Sequence, residues 1–86
     1  MNEYVRQTAL EDSFLDMHGF KPKVEYARIS GSEYKIRISY NNKSVILREI
    51  MERGLTKEAS AEYDGVTQGF PSMYAAEVYA ANLVRG

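Results

Sequence analysis

The sequence contains no cysteine and no tryptophan, and only one histidine among its 86 residues. Without cysteine there can be neither disulfides nor thiolate metal sites, and the chain suits a reducing compartment. No apolar run approaches the roughly 18 residues of a membrane span. The start, Met1 to Arg6, lacks the charged and apolar regions of a secretory leader. A cytoplasmic location without a membrane partner is therefore expected. Phosphate-binding loops are missing too. Ser30-Gly31-Ser32 and Asp64-Gly65 lack the glycine spacing and following lysine of such loops, and both read as turns.

Catalytic groups are equally scarce. His18 falls at the end of an expected helix with no nucleophile tied to it, and reads as a surface or capping residue. Glu11, Asp12 and Asp16 read as solvated carboxylates that favour a helix dipole, not as metal ligands. No catalytic residue, metal or cofactor is expected, and the chain reads as a non-enzyme. A small nuclease using Lys, Arg and Tyr is the least favoured alternative.

What is present is a strict alternation, Tyr34-Lys35-Ile36-Arg37-Ile38-Ser39-Tyr40. Period 2 puts Tyr34, Ile36, Ile38 and Tyr40 on one side of a strand, with Lys35, Arg37 and Ser39 on the other. Asn41-Asn42 tolerates positive φ and favours a tight hairpin into Lys43-Ser44-Val45-Ile46-Leu47. That turn sets Ile38 opposite Val45, Ile36 opposite Leu47, Arg37 opposite Ile46 and Lys35 opposite Arg48. The apolar residues then share one face and the cations the other. A strand over Lys23 to Ile29, joined by a three-residue loop, adds Val24 and Tyr26 to the apolar face and sets Glu25 opposite Arg37. The alternative register would bury Glu25, which costs more than exposing Ile29.

Around this core the chain reads in order. Residues 1 to 7 form a loose arm, with Tyr4 and Val5 tucked against the core. Thr8-Ala9-Leu10-Glu11 has the spacing of a capping box, opening a helix through His18 that Gly19 ends. Leu10, Phe14, Met17 and Leu15 supply its apolar stripe, and Glu11, Asp12 and Asp16 an acidic outer face. The third strand is expected to yield to a turn at about Arg48, against a rival helix from Ser44 to Arg53. Thr56 caps a short helix over Lys57 to Tyr63 that ends at Asp64-Gly65, and Val66 to Gly69 is loop. Ser72 caps a final helix with Met73, Ala76, Ala80, Leu83 and Val84 inward, widened by Tyr74, Val78 and Ala81.

The expected fold is thus one α+β domain over residues 1–86, since this length suits one core. It is a three-stranded antiparallel meander with an N-terminal and a C-terminal helix packed on one face, in the order α-β-β-β-(short α)-α. The order helix, three strands, helix, with Phe70-Pro71-Ser72 leading into an alanine-rich helix, is similar to that of double-stranded-RNA-binding domains. That resemblance implies nucleic-acid binding. It departs at Ser72, Met73 and Tyr74, where such a domain carries lysines.

Net charge is −1, but from Lys21 to Lys57 nine basic residues face four acidic ones, while the remainder carries two basic and eight acidic. The sheet is therefore expected to be basic and its flanks acidic. Two helices cover one face of so small a sheet, leaving the cations to solvent or a partner. The expected partner-binding residues are Lys23, Tyr34, Lys35, Arg37, Tyr40, Lys43 and Arg48, and the seven tyrosines suit an interface, with Tyr79 a further choice. The first expectation is an interaction protein, an inhibitor or adaptor, of the small motif-free kind common among phage-encoded inhibitors of host complexes. A protein partner stands ahead of nucleic acid, which is the alternative use of the same face. An exposed third-strand edge would also permit a homodimer.

Overall fold

The structure, a computed structural model, describes residues 3–86. It is α+β, but the sheet is not a three-stranded meander. Six antiparallel strands follow one another in chain order: β1 (Val5–Arg6), β2 (Lys23–Arg28), β3 (Glu33–Tyr40), β4 (Lys43–Glu52), β5 (Leu55–Tyr63) and β6 (Val66–Phe70). Helix α1 (Thr8–His18) stands between β1 and β2, and α2 (Met73–Arg85) closes the chain.

The expected centre of the sheet is present. β3 and β4 pair Ile38 with Val45, Arg37 with Ile46, Ile36 with Leu47 and Lys35 with Arg48. β2 pairs Val24 with Ile38, Glu25 with Arg37 and Tyr26 with Ile36. Asn41 and Asn42 take φ of 53° and 62°, the left-handed pair that a tight hairpin matched to strand twist requires.

The differences begin at Arg48. β4 does not turn there but runs on to Glu52, so the helical alternative for residues 44–53 is also excluded. Arg53-Gly54 (φ 56° and 77°) and Asp64-Gly65 (φ 54° and 78°) repeat the geometry of Asn41-Asn42. Asp64-Gly65, expected to stop a helix, and Arg53-Gly54 instead make two further hairpins, because positive φ is needed in both settings and glycine adopts it without a Cβ clash. Residues 57–63, expected as a short helix, form most of β5, and residues 66–69, expected as loop, form β6. Glu58 to Tyr63 alternates Ala59, Ala61 and Tyr63 with Glu58, Ser60 and Glu62. A strand paired on both sides uses that alternation, overriding the helical preference of Ala and Glu. A register shift at Ile50/Met51 leaves Lys57 as the extra residue of a bulge. Part of the expected N-terminal arm is the short strand β1, pairing Val5 with Tyr26 and Arg6 with Glu25. Residues 1 and 2 of that arm lie outside the described residues.

Both helices pack on one face. Val24, Ile38, Val45, Leu47, Ala76, Ala80 and Val84 are fully buried there, joined by Phe14, Phe20, Ile36, Ala61 and Ala81. Alanines on α2 and β5 keep the helix close to the strands. Ser72 caps α2, its Oγ accepting from Ala75 N–H at 3.1 Å. Gly19 ends α1 in the left-handed conformation, its N–H donating to the Leu15 carbonyl.

Three local expectations fail here. Thr8 is the first helical residue and not the cap; Gln7 occupies that position without a side-chain capping bond. Glu11 faces inward, 1% exposed, held by Arg6 Nε (2.7 Å), Arg6 Nη2 (3.0 Å) and the Val24 N–H (3.0 Å). Leu15, Met17 and Tyr74 are exposed, because α1 packs at the β1–β2 margin of the sheet and Tyr74 lies in the first turn of α2.

Candidate functional site: the open face of the sheet

Strand alternation divides the sheet into a helix-covered face and an open one. From the register, the open face carries Lys23, Glu25 and Ala27 of β2, and Glu33, Lys35, Arg37 and Ser39 of β3. β4 adds Ser44, Ile46, Arg48 and Ile50; β5 adds Glu58, Ser60 and Glu62; β6 adds Thr67 and Gly69. Of the residues expected to bind a partner, Lys23, Lys35, Arg37 and Arg48 are brought together here.

The other three expected residues lie on the opposite face. Tyr34 is half-buried and donates its hydroxyl hydrogen bond to Glu49 Oε1. Tyr40 packs on Phe20 with ring centroids 4.8 Å apart. The Lys43 ammonium donates to the Leu83 carbonyl at 3.3 Å, satisfying the C-terminal end of α2. Tyr79 packs on Phe70 at 5.1 Å. The tyrosine that does join the cations is Tyr4, just before β1, with the Arg37 guanidinium 4.2 Å from its ring centroid. Burial raises the Tyr4 pKa above its ordinary value, partly offset by Arg37. Tyr4 and Val5 are therefore not both tucked against the core as expected, since Tyr4 lies with the open-face cations and Val5 is exposed, and a two-residue strand has no readable period to choose the face.

The face is charged but not basic. Arg37 Nε donates to Glu25 Oε1 at 3.0 Å, and Lys23 Nζ lies 3.9 Å from the same carboxylate. Arg48 Nε donates to Glu33 Oε2. The Arg37 bond holds the Glu25 carboxyl below its usual range and raises the guanidinium of Arg37 in turn. Glu58 and Glu62 come from β5, a strand read as helix from the sequence. Lys23, Lys35, Arg37 and Arg48 are therefore matched by Glu25, Glu33, Glu58 and Glu62 across β2 to β5. Among the described residues, Lys35 is the only one of these cations without a carboxylate within 4.0 Å, and Glu58 and Glu62 likewise have no cation at that distance.

Between these charges lies a depression of about 250 Å³, lined by Glu33, Lys35, Ile46, Arg48, Ser60, Glu62 and Thr67. Its origin is the row Lys35–Arg48–Ser60–Gly69 across β3 to β6. Past the long side chains of Lys35 and Arg48, Ser60 and Gly69 are short or bare, so the surface drops towards β6. Lys35 stands at one wall, Glu62 at another, and Ile46 supplies apolar floor.

The helix-covered face holds a second polar group. Tyr34 and Thr56 both donate to the carboxylate of Glu49, which is 6% exposed. Burial, and then the charge of Glu49, raise the pKa of Glu77 on α2. Burial and the bond to Glu49 raise that of Tyr34. Among the described residues no group of three or more His, Asp or Glu side chains could hold a metal ion, and no helix is long and apolar enough to cross a membrane.

Set beside known proteins, the chain matches no family model, no curated protein and no solved structure.

Proposed function

We propose that this chain is a non-enzymatic interaction protein, an inhibitor or adaptor, that docks a folded protein partner on the open face of its sheet. The observation that carries this reading is the uncovered face itself, with balanced charges around an apolar-floored depression. Lys35 and Glu62, without an ion-pair partner among the described residues, offer opposite charges to one occupant, which suits a protein surface presenting a carboxylate and a cation beside an apolar side chain. Such a pattern contributes register and specificity more than raw affinity.

Nucleic acid binding is the weaker use of the same face. Phosphate recognition needs a net cationic surface, and Glu58 and Glu62 cancel the excess expected from β2 to β4 alone.

The test is affinity capture from a lysate of the source organism, using the full chain and the double variant Lys35→Glu, Arg37→Glu, with both shown to be folded by circular dichroism. The expected result is one stoichiometric protein retained by the wild type and lost with the double variant. Equal capture by both would remove the open face from the interaction. Retention on DNA or RNA that weakens steeply with salt would replace the protein partner with nucleic acid.

A further inference from the structure

The two edges of the sheet are not alike. β1 is two residues long, and its Arg6 is tied to Glu11. Short length and a charge are how natural sheets blunt an edge against unwanted pairing. β6, at the other edge, has neither device. Val66-Thr67-Gln68-Gly69-Phe70 contains no charge and no proline, its pairing with β5 is regular, and all but Phe70 are exposed.

The hairpin turn decides which of its backbone groups are free. Residues flanking a two-residue turn form a hydrogen-bonded pair, and such pairs alternate with non-hydrogen-bonded ones along an antiparallel ladder. Tyr63 with Val66, Ala61 with Gln68 and Ala59 with Phe70 are then the bonded pairs within the hairpin. The N–H and C=O groups of Thr67 and Gly69 point away from β5, into solvent.

From this we infer that β6 pairs antiparallel with β6 of a second copy about a two-fold axis through Gln68, joining two six-stranded sheets into one. In that register Thr67 bonds Gly69 of the second copy and Gly69 bonds its Thr67, so all the outward groups of both residues are satisfied. Val66, 69% exposed, falls opposite Phe70 of the second copy, whose ring already rests on Tyr79. The pairing is self-complementary, apolar end against apolar end, with the amides of the two Gln68 side chains meeting on the axis. It also closes, because each copy uses its one open edge and the blunted β1 remains outside. A net charge of −1 per chain offers little opposition.

The experiment exploits the absence of cysteine. Gln68→Cys introduces the only thiol, and in the proposed register the two Cα atoms form a non-hydrogen-bonded pair about 4.5 Å apart, within disulfide reach. Mild oxidation should convert this variant to a covalent dimer, while Leu55→Cys, exposed in the β4–β5 hairpin, should remain largely uncross-linked. In sedimentation, the wild type should pass from monomer to dimer with rising concentration. Gln68→Lys should weaken that step several-fold by setting like charges opposite one another. Thr67→Pro should weaken it further, removing an outward donor from each copy without touching the β5–β6 ladder. Lys35→Glu should leave it unchanged, which separates this interface from the open-face reading. A wild type that stays monomeric at every concentration would overturn the inference. So would a dimer indifferent to Gln68→Lys and Thr67→Pro, or growth beyond the dimer.

Discussion

The two faces of this sheet are made from alternate residues of the same strands, yet they handle charge in opposite ways. On the helix-covered face charged groups are few, and those with resolved partners are tied to one place. Glu49 takes the hydroxyls of Tyr34 and Thr56, and Lys43 closes the end of α2. On the open face charges are many, and Lys35, Glu58 and Glu62 are left without an ion-pair partner among the described residues. A buried charge must be satisfied as a condition of folding, whereas a solvated one can wait for a partner. If the open face is the docking surface proposed above, binding falls to the side whose charges folding does not need to satisfy.

The strongest way to break that contrast is to truncate a residue on each side. Leu47→Ala, at a fully buried position between Ile36 and Ala61, should cost about 2–5 kcal/mol. That is a large share of the roughly 5–15 kcal/mol by which domains are stable. Lys35→Ala, in the neighbouring row of the opposite face, should stay within about 0.5 kcal/mol. Urea denaturation of both variants measures this, and equal losses would mean that the open face is structural.

A smaller effect is expected at the sheet margin, where Glu11 is buried but fully bonded. Glu11→Gln weakens the Arg6 pair and the acceptor for the Val24 N–H, and should cost about 1–3 kcal/mol at neutral pH. The Arg6 hydrogen bond, ahead of burial, holds the Glu11 carboxyl below its ordinary 4.5. A lowered folded-state pKa contributes stability that is present above the unfolded value and is lost as pH falls through the folded one. The wild type should therefore lose its advantage over Glu11→Gln in acid, below about pH 4. Unfolding curves at pH 7 and pH 3 check the sign, and a pH-independent difference would point to packing alone.

How much of this was legible in the sequence differs from strand to strand. The β3–β4 register could be read because Asn41-Asn42 and two alternations agree on a single pairing, and Glu25 then fixed β2. The cations of the open face followed from the same register. β5 and β6 could not be read that way, since glycine after a polar residue ends helices and turns hairpins alike. Only the order of signals distinguished them. Asp64-Gly65 is a two-residue hairpin sequence that follows the alternating run 58–63, and a helix stop at that point leaves Glu58 and Glu62 off the sheet. A face expected to be basic was thereby missing half of its carboxylates.

The finest contrast concerns Glu77, a carboxylate on the covered side whose pKa moves the other way. Burial comes first among the causes and the neighbouring charge of Glu49 second, and both raise it. A raised folded-state pKa means stability that is fully present below the unfolded value and is lost as pH rises through the folded one. At neutral pH the charged form of Glu77 therefore works against folding. Glu77→Gln keeps the shape and removes the charge, so it should raise Tm at pH 7 by about a degree or two. The gain should vanish near pH 4, where the wild-type carboxyl is protonated as well. Thermal unfolding at the two pH values measures it, and a lower Tm at pH 7 would show that the Glu77 carboxylate is held by an attraction stronger than its burial and the repulsion from Glu49.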